Sequence, residues 1–226
     1  MAPLWLKDTD GWRIMPPTGF PAEAALHGIV EEAPNLLPLS GTPQLTVIGR
    51  EVPLGSGYAD LLAVEQTGRR VVIEVKLARN AEARRAVIAQ VLAYAAYLHG
   101  LSPSALERDV LGTKLRDRGF ETLADAVRAM DQEGSFEESV FAEGLEQSLS
   151  EGRFRLVLVL DDAPEELVRL VGYLEVVSDK LVIDLVTVAQ YDVRGAQGVP
   201  PTRQRCAPDP PVAAQTQMPQ VFLASS

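Results

Sequence analysis

The hydrophobic and polar positions of the first hundred residues predict alternating helices and strands. Apolar side chains recur with helical spacing over residues 21–33, which predicts a first helix. Apolar runs rich in β-branched residues then predict strands at 45–52, 58–65 and 70–77. A further helix is predicted at 81–99. This order indicates an α/β fold with a mixed central β-sheet flanked by helices.

The second half of the chain begins with a polar, helix-rich insertion at 103–150. After it, "RFRLVLVL", "APEELVRLVGYLEVVS" and "KLVIDLVTVAQYDV" predict a strand, a crossover helix and a strand that extend the sheet. The pattern therefore divides the chain into a core at 1–102, an insertion with the β-α-β extension of the same domain at 103–195, and a proline-rich C-terminal arm at 196–226. Asp162, three residues before Glu165, is predicted to cap the crossover helix.

Composition places the chain among ordinary globular proteins. It has 226 residues, of which 46% are hydrophobic and 23% are charged. No apolar run approaches the roughly 20 residues needed to cross a bilayer, and the start lacks a signal-peptide pattern, so we expect a cytoplasmic protein without a membrane partner. A single cysteine and two histidines make neither a disulfide nor a zinc site.

The formal net charge of −10 is concentrated in the second half of the chain. Residues 101–195 hold 10 basic and 20 acidic side chains, whereas residues 1–100 hold 9 and 10. Because local charge decides where a polyanion binds, the nearly neutral first half is the better candidate for contact with nucleic acid. Its predicted basic cluster near the strand carboxylates consists of Arg69, Arg70, Lys76, Arg79, Arg84 and Arg85.

Three ionisable residues interrupt the apolar strands of "YADLLAVEQTGRRVVIEVK". A hairpin with the loop Gln66–Gly68 places Asp60 opposite Glu74, with β-carbons about 4.5–5.5 Å apart. Lys76 projects from the same face of its strand as Glu74, because strand side chains alternate between faces. The hairpin therefore predicts two carboxylates and an ammonium on one side of the sheet.

Two carboxylates this close in a partly buried site repel each other unless a cation or a proton lies between them. Mg²⁺ or Mn²⁺ meets this need, because these ions prefer hard oxygen ligands and accept phosphate oxygens. Such a site would cleave phosphodiesters. The alternative is a structural ion pair between Glu74 and Lys76, with Asp60 capping a strand end, and spacing alone leaves both open.

The quoted motifs resemble those of the PD-(D/E)xK, or restriction-endonuclease-like, nuclease superfamily. "YAD" matches the first motif with Asp60, although Ala59 replaces its proline, and "EVK" matches the E-x-K motif. "QVLAY" fits the Q-x-x-x-Y motif that some branches carry on the next helix. The helix at 21–33 resembles the opening helix of these nucleases, where a glutamate often approaches the metal, and Glu23 is the best positional match.

The resemblance implies a metal-dependent deoxyribonuclease with DNA as substrate. Asp60, Glu74, the Val75 carbonyl and Glu23 would hold Mg²⁺, and Lys76 would act on the attacking water. Family members often form homodimers, and the acidic second half or the C-terminal arm are candidate surfaces for a protein partner. The alternative is a catalytically silent module on the same fold that binds nucleic acid or protein.

Gln90 is the one amide in the uncharged helical stretch "AVIAQVLAYAAYL". A buried amide needs hydrogen-bond partners, and Tyr94 lies one turn later on the same side. This spacing predicts that Gln90 and Tyr94 position Lys76 or a nucleotide; the alternative is a core polar pair that the backbone satisfies. Arg84 and Arg85, at the helix start, are candidate phosphate contacts or solvated surface residues.

Overall fold

The computed structural model describes residues 4–8, 11–77, 81–193, 196–198 and 201–203. The strands of these ranges are β1 (Leu4–Asp8), β2 (Gly11–Met15), β3 (Leu45–Leu54), β4 (Gly57–Glu65), β5 (Arg70–Lys76), β6 (Phe154–Leu160), β7 (Val182–Val188), β8 (Tyr191–Val193), β9 (Ala196–Gly198) and β10 (Pro201–Arg203). The helices are α1 (Glu23–Glu32), a 3-10 turn (Pro34–Leu36), α2 (Ala81–Leu98), α3 (Pro103–Ala105), a π-helical turn (Leu106–Val110), α4 (Gly112–Asp117), α5 (Leu123–Met130), α6 (Glu138–Glu151) and α7 (Glu165–Val177).

The central sheet is mixed and has the strand order β10-β7-β6-β5-β4-β3. Strands β3, β4 and β5 pair antiparallel, whereas β5, β6 and β7 pair parallel. The parallel step from β6 to β7 passes through α7, as expected for a strand, crossover helix and strand. The α/β prediction with a mixed central sheet flanked by helices is therefore confirmed.

The hairpin between β4 and β5 fixes the register of the site. Leu61 lies across from Ile73, and the Glu65 N–H donates to the Arg69 carbonyl at 3.0 Å, so the predicted loop is present. Gly68 has φ +85°, and a Cβ there would lie 2.2 Å from the Phe141 carbonyl oxygen. Only glycine fits, because the turn both needs the left-handed conformation and presses on the α6 backbone.

Apolar side chains cover the sheet on both faces. One core forms between the sheet and α2, α7 and the helical insertion, and it includes Leu62, Val72 and Leu158. The other core lies under α1 and includes Leu61, Ile73 and Val159. Because neighbouring residues of a strand point to opposite faces, these near-continuous apolar runs are what a doubly covered sheet requires.

Several features differ from the sequence predictions. The β1–β2 hairpin was not predicted, and the predicted strand at 180–193 is divided between β7 and β8. The start of the C-terminal arm is not a simple linker, because β9 pairs with β8 and β10 pairs with β7. Residues 204–226 of the arm lie outside the described residues. The predicted Asp162 cap is wrong: α7 starts at Glu165 after Pro164, whose fixed φ and missing N–H suit a helix start, and no side chain caps it.

In the described part of the chain, no helix combines the length and the apolar character needed to cross a membrane.

Candidate active site

Glu74 lies at the centre of the predicted site and is 1% exposed. Its position on β5 places the side chain on the sheet face that α2 covers, beside the strand pairing that aligns Leu61 with Ile73. The described ladder between β4 and β5 ends at that pair. The next residues, Asp60 on β4 and Glu74 on β5, therefore face each other where the two strands stop pairing.

Asp60 bonds to the backbone of the neighbouring strand. The Val75 N–H donates to Asp60 Oδ2 at 2.8 Å, and the Asp60 N–H is 3.4 Å from Glu74 Oε2. Side-chain carboxylates thus take the place of strand carbonyls at this point of the sheet. This exchange fixes both carboxylates against the backbone and orients them toward one another.

The Lys76 ammonium joins three carboxylates from three separate elements. Its Nζ lies 3.1 Å from Glu74 Oε1, 3.5 Å from Glu23 Oε1 and 3.7 Å from Asp60 Oδ2. Glu23, in the first turn of α1, also accepts the Leu77 N–H at 3.2 Å. We call Glu23, Asp60, Glu74 and Lys76 the Lys76 cluster; all four are among the site residues named in the sequence analysis, and the structure brings them together.

The α2 residues Gln90 and Tyr94 complete the hydrogen bonding of Glu74. Gln90 Nε2 donates to Glu74 Oε1 at 2.6 Å and lies 2.8 Å from Tyr94 Oη. The Tyr94 hydroxyl donates to the Tyr58 carbonyl at 2.8 Å. A chain of hydrogen bonds therefore runs from the β4 backbone through α2 to the buried carboxylate. The backbone satisfies Tyr94, as the alternative supposed, but Gln90 contacts the cluster itself.

The Lys76 cluster carries an excess of negative charge. Three carboxylates and one ammonium give it a formal charge of −2 when all are ionised. Burial, and secondarily the charge of Asp60, raise the pKa of Glu74 to about 7, against the opposing effect of Lys76. Burial acts to lower the pKa of Lys76, but Glu74, Asp60 and Glu23 together outweigh it and raise that pKa. The site therefore favours added positive charge or a proton.

The donors of the Lys76 cluster suit a hard divalent cation in type, because they are carboxylate oxygens. Among the described residues, however, no group of three or more histidine, cysteine, aspartate or glutamate side chains is already arranged to hold a metal ion. In this conformation the Lys76 ammonium lies among the carboxylate oxygens. The residues present fit such an ion by chemistry, once the ammonium moves away from between them.

Of the predicted basic cluster, Lys76 lies at the carboxylates, but Arg69 and Arg70 do not. Arg69 and Arg70 lie at the opposite end of β5 from Lys76, because that strand begins with Arg70. Arg70 is fully buried, its guanidinium nitrogens have no hydrogen-bond partner in the described part of the chain, and burial lowers its pKa to about 9. Arg79 and the side chains of Arg84 and Arg85 lie outside the described residues.

A second cluster of buried charge was not selected from the sequence. Arg155 Nε donates to Glu65 Oε1 at 2.6 Å, Nη1 to Asp184 Oδ2 and to Ser40 Oγ at 3.0 Å, and Nη2 to the Ser40 carbonyl at 3.1 Å. The Ser40 N–H donates to Asp184 Oδ1 at 3.0 Å, and the Thr67 hydroxyl donates to Glu65 Oε2 at 3.1 Å. We call Arg155, Glu65, Asp184 and Ser40 the Arg155 cluster. A charge within an apolar run, the signal that marked Glu74, also marks Asp184 in "LVIDLVT".

Comparison with known proteins identifies no relative. No protein-family model, no curated protein and no solved structure matches this chain.

Proposed function

We propose that this protein is a metal-dependent nuclease that hydrolyses phosphodiester bonds, with DNA as substrate and a restriction-endonuclease-like arrangement of its sheet. The observation that carries the proposal is the convergence of Glu23, Asp60 and Glu74 on Lys76, at the point where β4 and β5 stop pairing. The Lys76 side chain is 19% exposed and that of Asp60 is 20% exposed, so a substrate can reach them.

Asp60, Glu74 and Glu23, together with the Val75 carbonyl, would hold Mg²⁺ or Mn²⁺ in this proposal. When bound, such an ion supplies a Lewis acid that neutralises charge on the phosphate undergoing attack. The excess negative charge of the Lys76 cluster supports the assignment, because burial and the charge of Asp60 disfavour the ionised form of Glu74, and a bound cation would offset both effects.

Lys76 would orient the attacking water and stabilise the negative charge that develops on the phosphoryl oxygens. Its contacts with Glu74 at 3.1 Å and with Asp60 at 3.7 Å place the ammonium next to the carboxylates that would hold the metal. Gln90 would keep the Glu74 carboxylate in one orientation, and Tyr94 would hold Gln90 through its own bond to the β4 backbone. Both α2 residues would thereby position the groups that act on substrate.

A catalytically silent module that binds nucleic acid or protein is the second candidate function. The observation that favours it is the Lys76–Glu74 contact at 3.1 Å, which is what a purely structural ion pair would show. The acidic residues concentrated in 101–195 also favour a protein partner over a long duplex. The convergence of Asp60, Glu74 and Lys76 in one cluster favours the enzyme instead.

Cleavage of plasmid DNA and of single-stranded DNA separates the two candidates. We expect the full chain to cut DNA with Mg²⁺ or Mn²⁺ and to stop when EDTA is added. Arg169→Met, a surface change on α7 outside the Lys76 cluster, should cut as the wild type does. DNA binding without cutting under all metal conditions would support the silent module and contradict the nuclease.

A further inference from the structure

An exposed aromatic residue lies on the strand that carries Asp60. Tyr58 is 64% exposed and lies two residues before Asp60 on β4. Lys76 lies two residues after Glu74 on β5, so Tyr58 and Lys76 occupy matching positions just beyond the end of the strand ladder. This placement would put the nucleotide next to a phosphate at Lys76 within reach of the Tyr58 ring.

The backbone of Tyr58 lies at one end of the chain of hydrogen bonds that reaches Glu74 at the other. The Tyr58 carbonyl accepts from Tyr94 Oη at 2.8 Å, and Tyr94 in turn bonds Gln90. A Cβ at Gly57 would lie 2.8 Å from Tyr94 Oη, so glycine allows this close approach. A ring on a fixed backbone loses little conformational entropy when a ligand packs on it, which is what a stacking surface needs.

The chemistry of an exposed phenol ring on the strand that carries Asp60 would suit a nucleobase. Every base offers an aromatic face, and stacking does not depend on the sign of the protein charge, so it suits a chain with a net charge of −10. In a duplex the neighbouring bases already cover both faces of each base. An unpaired strand leaves those faces free and has a lower charge density than a duplex.

We propose that Tyr58 stacks on a base next to the phosphate that is cut, and that the site takes an unpaired DNA strand in preference to duplex DNA. This inference rests on the proposed nuclease function, whose site it extends. Tyr58 would thereby act as a specificity-determining residue that contacts the substrate, outside the Lys76 cluster.

The test compares Tyr58→Ala, Tyr58→Phe and Tyr173→Ala with the wild-type chain. Tyr173 is the matched control, because it is 63% exposed but lies on α7, which packs on β7 at a distance of two strands from β5. Steady-state cleavage of one labelled DNA strand, alone and annealed to its complement, is measured with Mg²⁺. In parallel, quenching of 2-aminopurine in the single strand is measured with EDTA, which reports stacking without cleavage.

We expect the wild type to have the higher kcat/KM on the single strand. Tyr58→Ala should raise KM for that strand about tenfold, a loss within the range for one base stacked on an aromatic ring, while KM for the duplex stays unchanged. Tyr58→Phe and Tyr173→Ala should behave as the wild type. Tyr58→Ala alone should remove the quenching.

The outcomes separate this inference from the nuclease proposal. If the wild type cuts DNA but Tyr58→Ala matches Tyr173→Ala on both substrates, the stacking role is wrong and the nuclease stands. If the wild type cuts neither substrate, the nuclease proposal is wrong, and the quenching still decides on Tyr58. Quenching that Tyr58→Ala removes would support the base contact, whereas no quenching by the wild type would contradict it.

Discussion

Two clusters of charged side chains lie on the same central sheet and differ in how far their charges are compensated. In the Arg155 cluster, the guanidinium bonds both carboxylates and two oxygens of Ser40, the Ser40 N–H and the Thr67 hydroxyl bond the remaining carboxylate oxygens, and the charged side chains are at most 8% exposed. In the Lys76 cluster, Gln90 and three backbone N–H groups also donate to the carboxylates, but one ammonium faces three carboxylates, and burial raises the pKa of Glu74 to about 7.

The difference indicates what each cluster does. A buried ionic network with every oxygen bonded stabilises one arrangement of the chain and has no capacity left for a ligand. A partly exposed cluster with excess negative charge holds its groups at a cost to stability, as functional sites often do. Variants that change one cluster while leaving the other intact test this difference.

The largest expected effect on stability comes from Arg155→Met. The change leaves Glu65 and Asp184 buried without a cation, so the free energy of unfolding should fall by about 3–5 kcal/mol. Urea unfolding measures it. Arg153→Met is the control, because that arginine makes only a surface pair with Glu151 and should change stability by less than about 1 kcal/mol. Equal losses for both variants would contradict the structural role of the Arg155 cluster.

Glu74→Gln should raise the free energy of unfolding when no divalent cation is present. The pKa of Glu74 is raised from 4.5 to about 7 in the folded protein. Between these two pH values, the folded protein therefore holds a proton on Glu74 that the unfolded chain has lost. Stability due to this group is therefore fully present below pH 4.5 and is lost as pH rises through 7. The amide removes this dependence, so Glu74→Gln should be more stable than wild type by about 3 kcal/mol at pH 8 and equal to it near pH 4.5.

Chemical denaturation in EDTA at several pH values measures this difference. Asp184→Asn, in the Arg155 cluster, is the comparison variant and should be less stable than wild type across the same range. A Glu74→Gln variant that is destabilised at pH 8 would show that the ionised carboxylate stabilises the fold.

Lys76→Met should lower the cleavage rate about a hundredfold at saturating Mg²⁺. This factor corresponds to a loss of about 2.7 kcal/mol of transition-state stabilisation. The reason is that the ammonium would no longer stabilise the developing phosphoryl charge. Without metal, the variant leaves three carboxylates uncompensated and should also lose stability, which Mg²⁺ should restore. Single-turnover cleavage and thermal unfolding measure the two effects, and wild-type cleavage by the variant would remove Lys76 from the mechanism.

The smallest expected effect is a thermal shift on metal binding. At a Mg²⁺ concentration about ten times Kd, binding to the folded chain alone should add about 1.4 kcal/mol, which raises Tm by about 3–6 °C. Asp60→Asn should abolish this rise, since it removes one carboxylate of the cluster. Asp109→Asn, a change at an exposed surface residue, should keep it. A rise that survives Asp60→Asn would place the metal elsewhere.

The sheet and the Lys76 cluster were predictable because local rules determine them. The loop Gln66–Gly68 sets the hairpin register, and that register decides which side chains face each other, so Asp60 and Glu74 follow from the sequence. The hairpin register does not determine the position of Glu23, because its distance from Lys76 depends on how α1 packs on the sheet. The family resemblance selected Glu23 as a glutamate that approaches the metal, and the structure places its Oε1 3.5 Å from Lys76 Nζ.

The Arg155 cluster could not be assembled from the sequence in the same way. Its members come from a β4 strand end, β6, β7 and the segment after the 3-10 turn, and no single turn sets their relative positions. The burial of Arg70 was likewise hidden, because its place at the start of a strand beside Arg69 resembles a solvated turn. The core that forms over it comes from α6 and the other helices of a segment distant in sequence.

The most direct test of the account compares the specific activity of Glu74→Gln and Asp184→Asn per folded molecule. Both variants remove one buried carboxylate charge from the same sheet, and each is assayed with Mg²⁺ on the same single-stranded and plasmid DNA, well below its own Tm. We predict that Glu74→Gln loses cleavage by about a hundredfold or more, although it is the more stable protein in EDTA at pH 8, and that Asp184→Asn is less stable yet cleaves as the wild type does. Full cleavage by Glu74→Gln, or loss of cleavage only in Asp184→Asn, would contradict the assignment of catalysis to the Lys76 cluster.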